Sequence, residues 1–564
     1  MPLSIRLSVI VFLLIATVAL IRMVDSARYM APTSDEYAHI YTGMEWLELK
    51  RYQFEELHPP LTRIIVALPL YIQGVRLLEA DRNYQCESDW LSYFNRIYHD
   101  PRTGWMWVGS RCLKLDTNGW FYNERVKEWL AWGRAGNLPW TVLMLLYTYL
   151  LGTYFGTRTH GLIACCIASL TPALLAHGSL ATTDMGATVA VLMMLYHLLR
   201  WLDSRAWRDV GWLGVAFAVA CLTKFSAAAY GGVLVAVTLL VVAYIRRNSG
   251  KPGVFRLHSF MHGLVAAAIS ALLIWACYRF SIGIPTEASA TAAAYAKSHP
   301  DSLLSHLLNM RLLPAPEWFT GWEYLWLKQA KGHAAYLFGK TLPDTGVWYF
   351  FPVALFYKTP TALLLLLCAG IAAVCLRKSP MVLPLLWFIC LMALSMLSKI
   401  NIGVRHILVI YPFIALIAAG GIIAMIQGGK TFLLSAAIAS IGLIHASFQS
   451  HPDYLPYFNL LARSKPEHIL VDSDLDWGQD TYRIAEEVKK RGITHINVCG
   501  MIGPKIRYIM PVPVDPTCAD GPRPGWMAIG FTRLYYIDAE RMAWLRNYTP
   551  VARVGSSMYL YYFP

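Results

Sequence analysis

Asp35-Glu36 stands about ten residues past an apolar run, with His39 one helical turn further on and His58-Pro59-Pro60 one loop later. A second acid, Asp184 in Leu180-Ala181-Thr182-Thr183-Asp184, opens another apolar run from the same side. Against these acids, Lys224, Lys399, Arg405 and His406 lie at the outer ends of apolar runs, and Lys358-Thr359-Pro360 lies a turn or more inside one. Each charge in hydrocarbon costs ~2.5 to 3.5 kcal/mol on insertion scales, so it needs a partner or a task. Snorkelling accounts for one such lysine at a helix end. It accounts less readily for five basic groups, whose common partner is a lipid-linked phosphate. Acids and cations at one depth suit a displacement at a charged leaving group, in which a carboxylate takes the acceptor proton and the cations receive the phosphate.

Ordinary structural roles compete. Thr33-Ser34-Asp35-Glu36 reads as a capping box, and acids in a first turn complement the helix dipole. This explains Glu36 well and Asp35 in part. Thr183 and Asp184 are likewise ordinary helix-start residues. In Asp472-Ser473-Asp474-Leu475-Asp476-Trp477, Asp474 and Trp477 suit a cation or a sugar, with Trp477 as the stacking face. An acid-rich turn capping the next helix reads slightly better. It is not an EF-hand loop, because Trp477 occupies the glycine position and Arg483 the glutamate position. The sequence contains no phosphate-binding glycine loop, zinc-spaced Cys/His set or nucleophile elbow.

The chain that positions these residues has 564 residues, 56% hydrophobic and 15% charged, with a mean hydropathy of +0.42. That is too apolar for a soluble protein. Runs long enough to cross ~30 Å of hydrocarbon fall near 5–24, 137–155, 161–179, 184–200, 209–223, 226–245, 258–280, 352–376, 381–398, 404–426 and 431–449. They predict an α-helical polytopic membrane protein of about eleven spans. Arg6, Arg200/Arg205/Arg208, Arg246/Arg247/Lys251/Arg256, Arg377/Lys378 and Lys430 share one side, which the positive-inside rule makes cytoplasmic. The loops 25–136 and 281–351 and the segment from 451 on then face outward. Arg22-Met23-Val24-Asp25 offers no cleavage site, so the first run reads as a retained helix.

The net charge of +14 is largely accounted for by the cytoplasmic loops and anionic lipid, so nucleic acid is not a partner. Of eleven cysteines, seven lie in spans; Cys86 with Cys112, and Cys499 with Cys518, pair naturally on the outer side. Tyr37, Ile40, Met44 and Leu47 recur at helical spacing, and Leu61 to Tyr71 is apolar but short. Both predict interfacial helices. Beyond the last run, 468–472, 494–499, 526–530 and 557–562 read as strands around a helix at 479–491, giving a small extracytoplasmic α/β domain at 451–564 beside a membrane domain at 1–450.

The acidic pair opening the first outer loop, His58-Pro59-Pro60-Leu61, Ala181-Thr182-Thr183-Asp184 and Arg405-His406-Ile407-Leu408-Val409-Ile410-Tyr411-Pro412 together resemble the GT-C superfamily. The nearest branch is the protein O-mannosyltransferase and aminoarabinose transferase type, which uses polyprenyl-phosphate sugars. Trp348-Tyr349-Phe350-Phe351-Pro352, Lys358-Thr359-Pro360 and Asp472 to Gln479 are similar to a bacterial subgroup of phospholipid carrier-dependent glycosyltransferases. The resemblance covers about residues 1–450 in layout and implies a GT-C fold with an outward cavity and an inverting transfer. Asp35 matches the acid that deprotonates the acceptor, and Asp184 the second acidic position. Several relatives carry lysine where this chain has His58.

The leading expectation is an enzyme of the bacterial inner membrane, its active site facing the periplasm. It transfers a hexosyl or pentosyl group from a polyprenyl-phosphate carrier to a glycan, lipid or protein acceptor. Asp35, Glu36 and Asp184 would be catalytic; Lys224, Lys358, Lys399, Arg405 and His406 would bind the donor phosphate; His39, His58, Asp474 and Trp477 would bind substrate. Nothing demands a cofactor, though the acids leave room for a divalent metal. The alternative is a transporter or flippase of a lipid-linked sugar, which needs the cations but no base; the sequence has no evident internal repeat to support it. An envelope scaffold is a third option.

Overall fold

The computed structural model describes residues 4–77, 123–249, 253–254, 257–462 and 465–564. Among these, seven helices are long and apolar enough to cross a membrane, and nine if each of two bent pairs forms one span. All eleven apolar runs are helical. Two of them, Trp207–Thr223 and Val382–Ser395, are shorter helices of 17 and 14 residues.

The bent pairs follow from proline. Arg158–Ser169 and Pro172–Gly178 meet at 70°, and Phe350–Lys358 and Thr361–Cys375 at 113°. In the second pair Pro360 drives Thr359 into extended backbone, with φ −98° and ψ 132°. Lys358 therefore closes a helix at a sharp break, where the sequence places it inside a continuous span. The carbonyls freed by the break need partners in an apolar setting. Asn459 supplies them: its Nδ2 donates to Phe356 O at 2.6 Å and to Thr359 O at 2.9 Å.

The chain divides into two units. One comprises residues 1–37, 122–192 and 331–564. At its centre lies Ile410–Gln427, buried on every side from Ile410 to Ile422, as befits a helix apolar all round. It packs against Thr361–Cys375, Val382–Ser395, Arg158–Ser169 and Lys430–Gln449. Gly370 and Gly421 set the closest approach: a Cβ on Gly370 would lie 2.3 Å from Ile417 O, and one on Gly421 2.6 Å from Gly370 N. Arg22, buried within the first helix Ile5–Tyr29, donates to Ser447 O and Oγ at 2.6 and 2.9 Å.

The same unit ends in a five-stranded sheet ordered Val514–Asp515, Ile496–Cys499, Gly525–Gly530, Met558–Phe563, Ala552–Val554. The first three strands run parallel and the other pairings are antiparallel. Strand alternation sends Val498, Ala528 and Leu560 to one face, where Ile484 and Val488 of helix Thr481–Lys490 cover them. Cys499, Met527 and Ile529 turn to the other face, over Leu534 and Met542. Three of the four expected strands form. The fourth, 468–472, does not: the segment runs through short 3-10 turns, Pro466–His468 and Asp472–Asp474. Its buried Ile469 and Leu470 mimic a strand's composition. Cys499 and Cys518 form a disulfide; Cys86 and Cys112 lie outside the described residues.

The other unit comprises residues 38–121 and 193–330. Trp207–Thr223 packs there on Leu257–Cys277, Phe225–Asn248 and Pro60–Ile72. The last carries Pro at its first position, as the His58-Pro59-Pro60 motif predicts.

Candidate active site

Asp35 precedes helix Glu36–Met44. Glu36 is fully buried, and its carboxylate reaches back to Thr33 N at 2.9 Å, half of the expected capping box; the Thr33 hydroxyl instead donates to the same carboxylate. Arg134 then claims both Glu36 oxygens at 2.8 Å, and Ala181 N donates to Oε1 at 2.8 Å. Arg134 also donates to Ala27, Met30 and Ala31 carbonyls. The Glu36 carboxylate is thus consumed in tying the turn before Asp35 to the segment before Asp184.

With that turn fixed, Asp35 is presented partly exposed. Its Oδ2 accepts from Arg405 Nη1 at 2.8 Å, with side-chain exposures of 35% for the acid and 12% for the arginine. The Arg405 guanidinium lies 4.2 Å above the ring of Trp477, which is buried. That stacking leaves the guanidinium edge for in-plane hydrogen bonds, the geometry suited to a carboxylate or phosphate. Asp184, also buried, contributes to the same charge cluster: Asp35, Asp184 and Asp472 all stabilise the Arg405 charge. Lys505 places its ammonium 3.2 Å from the Tyr37 ring centre. Burial and then the Asp35 charge push the Tyr37 phenol up to about 12, so it serves as a donor rather than a base.

The acidic segment 472–477 does two jobs. Asp474 accepts from Val404 N at 3.0 Å, and its carbonyl takes the Lys358 ammonium, which also donates to Leu455 O at 2.8 Å. These contacts hold the turn Val404–Ile407 that carries Arg405. Gly403 allows the approach, because a Cβ there would lie 2.6 Å from Ser473 Oγ. Asp472 lies in left-handed backbone at φ 55°. Burial pushes its carboxyl up to about 7, against the opposing pull of Arg405. A carboxyl poised near neutrality beside the Asp35–Arg405 pair is suited to proton transfer.

The structure therefore brings together Asp35, Arg405, Trp477 and Asp184, with Glu36, Lys358 and Asp474 in their support. His406 is half-buried, 6.5 Å from the Phe351 ring; Lys399 is exposed, with its carbonyl bonded to His333 N. Lys224, His39 and His58 belong to the other unit. There Lys224 sits at the extended junction between two helices, and His39 meets His58 edge to face at 5.2 Å while accepting from Arg63 Nε at 3.2 Å. Sequence reasoning missed Arg134, which lies three residues before the apolar window at 137; a lone arginine in phase with that helix was the available signal. It also passed over Asp472 in favour of Asp474. Among the described residues, the one cluster with metal-ligand spacing is Cys499, Cys518 and Asp538, and its sulfurs are joined in the disulfide.

The fold is shared with ArnT from Cupriavidus metallidurans bound to undecaprenyl phosphate, at 10% identity, 97% coverage of both chains and a TM-score of 0.50. The sequence profile of the dolichyl-phosphate-mannose-protein mannosyltransferase family matches residues 134–275. Weaker likenesses run to apo ArnT, at 12% identity, TM-score 0.48 and 97% of both chains. The archaeal oligosaccharyltransferase AglB from Archaeoglobus fulgidus, in complex with an inhibitory peptide and a dolichol-phosphate, aligns at 12% identity and TM-score 0.48, covering 94% of this chain and 70% of that one. No curated protein sequence matches the chain significantly.

Proposed function

We propose that this protein is an inverting glycosyltransferase that moves a hexosyl or pentosyl group from a polyprenyl-phosphate carrier to a glycan, lipid or peptide acceptor at the outer face of the membrane. The observation that carries this reading is the Asp35–Arg405 pair, a carboxylate and a phosphate-type cation 2.8 Å apart. The fold shared with a polyprenyl-phosphate-bound transferase supports it. Residues 1–450 form the membrane domain and 451–564 the extracytoplasmic one.

Arg405 is paired with Asp35. A donor phosphate, with more charge and more acceptor oxygens, competes for the guanidinium and releases Asp35 to take the acceptor proton. The C1–phosphate bond breaks as the acceptor oxygen or nitrogen bonds C1 from the opposite face, and polyprenyl phosphate leaves on Arg405. Asp184 orients the acceptor, and Glu36 with Arg134 positions the base without touching substrate. The reaction needs no cofactor, so EDTA should leave turnover unchanged.

The test is release of polyprenyl phosphate by purified protein supplied with polyprenyl-phosphate sugars and an envelope extract as acceptor source. Sugar appearing on an acceptor with the opposite anomeric configuration supports the reading. Movement of the intact lipid-linked sugar between leaflets, without transfer, would establish the flippase instead.

A further inference from the structure

The unit built on Trp207–Thr223 and Leu257–Cys277 contains an apolar slot of about 880 Å³, in the ~300 to 1,000 Å³ range of ligand pockets. It follows the helix Leu257–Cys277 from Ser259 and His262 at one end to Ile274 and Trp275 at the other, and Ala315 and Trp318 also line it. Sixteen residues of helical rise make this ~24 Å, most of a hydrocarbon core. Its walls are Leu198, Leu213, Phe217, Val235, Leu239 and Ala267. The slot is therefore long and apolar, suited to a hydrocarbon chain.

Charged groups gather at one end, while mid-slot Ser270 spends its hydroxyl on Gly214 O at 2.6 Å. Arg205 donates to Ser259 Oγ at 3.0 Å and lies 4.3 Å over the Trp201 ring. Trp201 Nε1 donates to His262 Nδ1 at 3.0 Å. An indole nitrogen only donates, so Nδ1 is the acceptor and Nε2 carries the ring proton. His262 is 1% exposed, lines the slot, and its Nε2 has no hydrogen-bond partner among the described residues. Leaving a buried N–H unsatisfied forfeits its hydration without replacement, so a ligand acceptor is called for. Asp209, the acid buried at this end, takes the Ser204 hydroxyl. Arg246 reaches Leu202 O at 2.6 Å, adding to the positive field.

We propose that this slot binds one anionic glycerophospholipid, its phosphate against Arg205 and Ser259, an ester oxygen accepting from His262 Nε2, and an acyl chain along the helix. The basic loops assign this end to the cytoplasmic leaflet, opposite the face at which transfer is proposed. The site does not depend on the transfer chemistry.

Native mass spectrometry of the full-length protein released from detergent, titrated with phosphatidylglycerol and phosphatidylcholine of equal chain length, tests it. The wild type should retain phosphatidylglycerol about tenfold better, the worth of one charge-assisted hydrogen bond, and Arg205→Gln should abolish that preference. Ala267→Trp, which fills the slot, should reduce retention of both lipids; Ala271→Phe does the same from the next turn if the first variant does not fold. Thermal melting in lipid-free detergent checks folding of each variant. Equal retention of the two lipids by wild type, or phosphatidylglycerol retention unchanged in both classes of variant, would overturn the proposal. So would protection by free glycerol phosphate equal to that by the lipid, or displacement of phosphatidylglycerol by polyprenyl phosphate at equal concentration.

Discussion

Asp35→Asn separates catalysis from architecture, because the two roles predict losses of different size. As a general base, Asp35 contributes ~10² to 10⁴-fold to rate, or about 2.7 to 5.4 kcal/mol of barrier at 1.36 kcal/mol per decade. As a structural partner it contributes far less: its ion pair with Arg405 joins a side chain 35% exposed to one 12% exposed, and solvent-screened pairs of this kind are worth ~0.2 to 1 kcal/mol. Asparagine keeps the size and caps a first turn almost as well. The variant should therefore fold, melt within a few degrees of wild type, and lose at least about a hundredfold in polyprenyl phosphate released per minute. Donor binding has the opposite sign. With the competing carboxylate gone, Arg405 above Trp477 is available to the phosphate, so donor affinity measured by lipid titration should hold or rise. Turnover within about threefold of wild type, or a loss tracked by weaker donor binding, would refute the assignment of Asp35 as the base.

Glu36→Gln should behave differently: it breaks a fully buried pair with Arg134, a change that costs ~3 to 5 kcal/mol, so folded yield and melting temperature should fall before any change in the rate per folded molecule, and Arg134→Met should match it. Asp476 gives a pH signature. Burial pushes its carboxyl up to about 7, above the unfolded value, so its neutral form stabilises the fold below the unfolded pKa and that contribution is lost as pH rises through 7; Asp476→Asn should flatten the fall in melting temperature between pH 4.5 and 8. Cys499 and Cys518 close a loop of separation 19, worth ~3 kcal/mol in the chain-entropy account. Non-reducing peptide maps should show the link, and Cys499→Ser should lower protection of the sheet amides in hydrogen exchange.

Much of this was legible in the sequence because hydrophobic run length is a one-dimensional signal. All eleven runs are helices, and the strands at 496–499, 525–530 and 558–563 alternate as their residues require. What escaped were features set by partners distant in sequence. The break after Lys358 is written in Thr359-Pro360, yet its depth depends on Asn459, a hundred residues on. Ile469-Leu470-Val471 has strand composition but takes its hydrogen bonds singly, Ile469 O receiving Phe338 N. Asp35 was found by position and resemblance. Its tie to Arg405 spans 370 residues, and no local pattern encodes which of five basic groups would complete it.

The stitching at residue 358 bears on how the chain is made. Until Leu455, Asn459 and Asp474 have been synthesised, the broken span carries two carbonyls and an ammonium with no counterpart. Insertion of that span is therefore thermodynamically incomplete for more than a hundred residues of translation. The late segment acts as a latch on the broken span, and a chain ending before residue 455 would lack every one of these contacts.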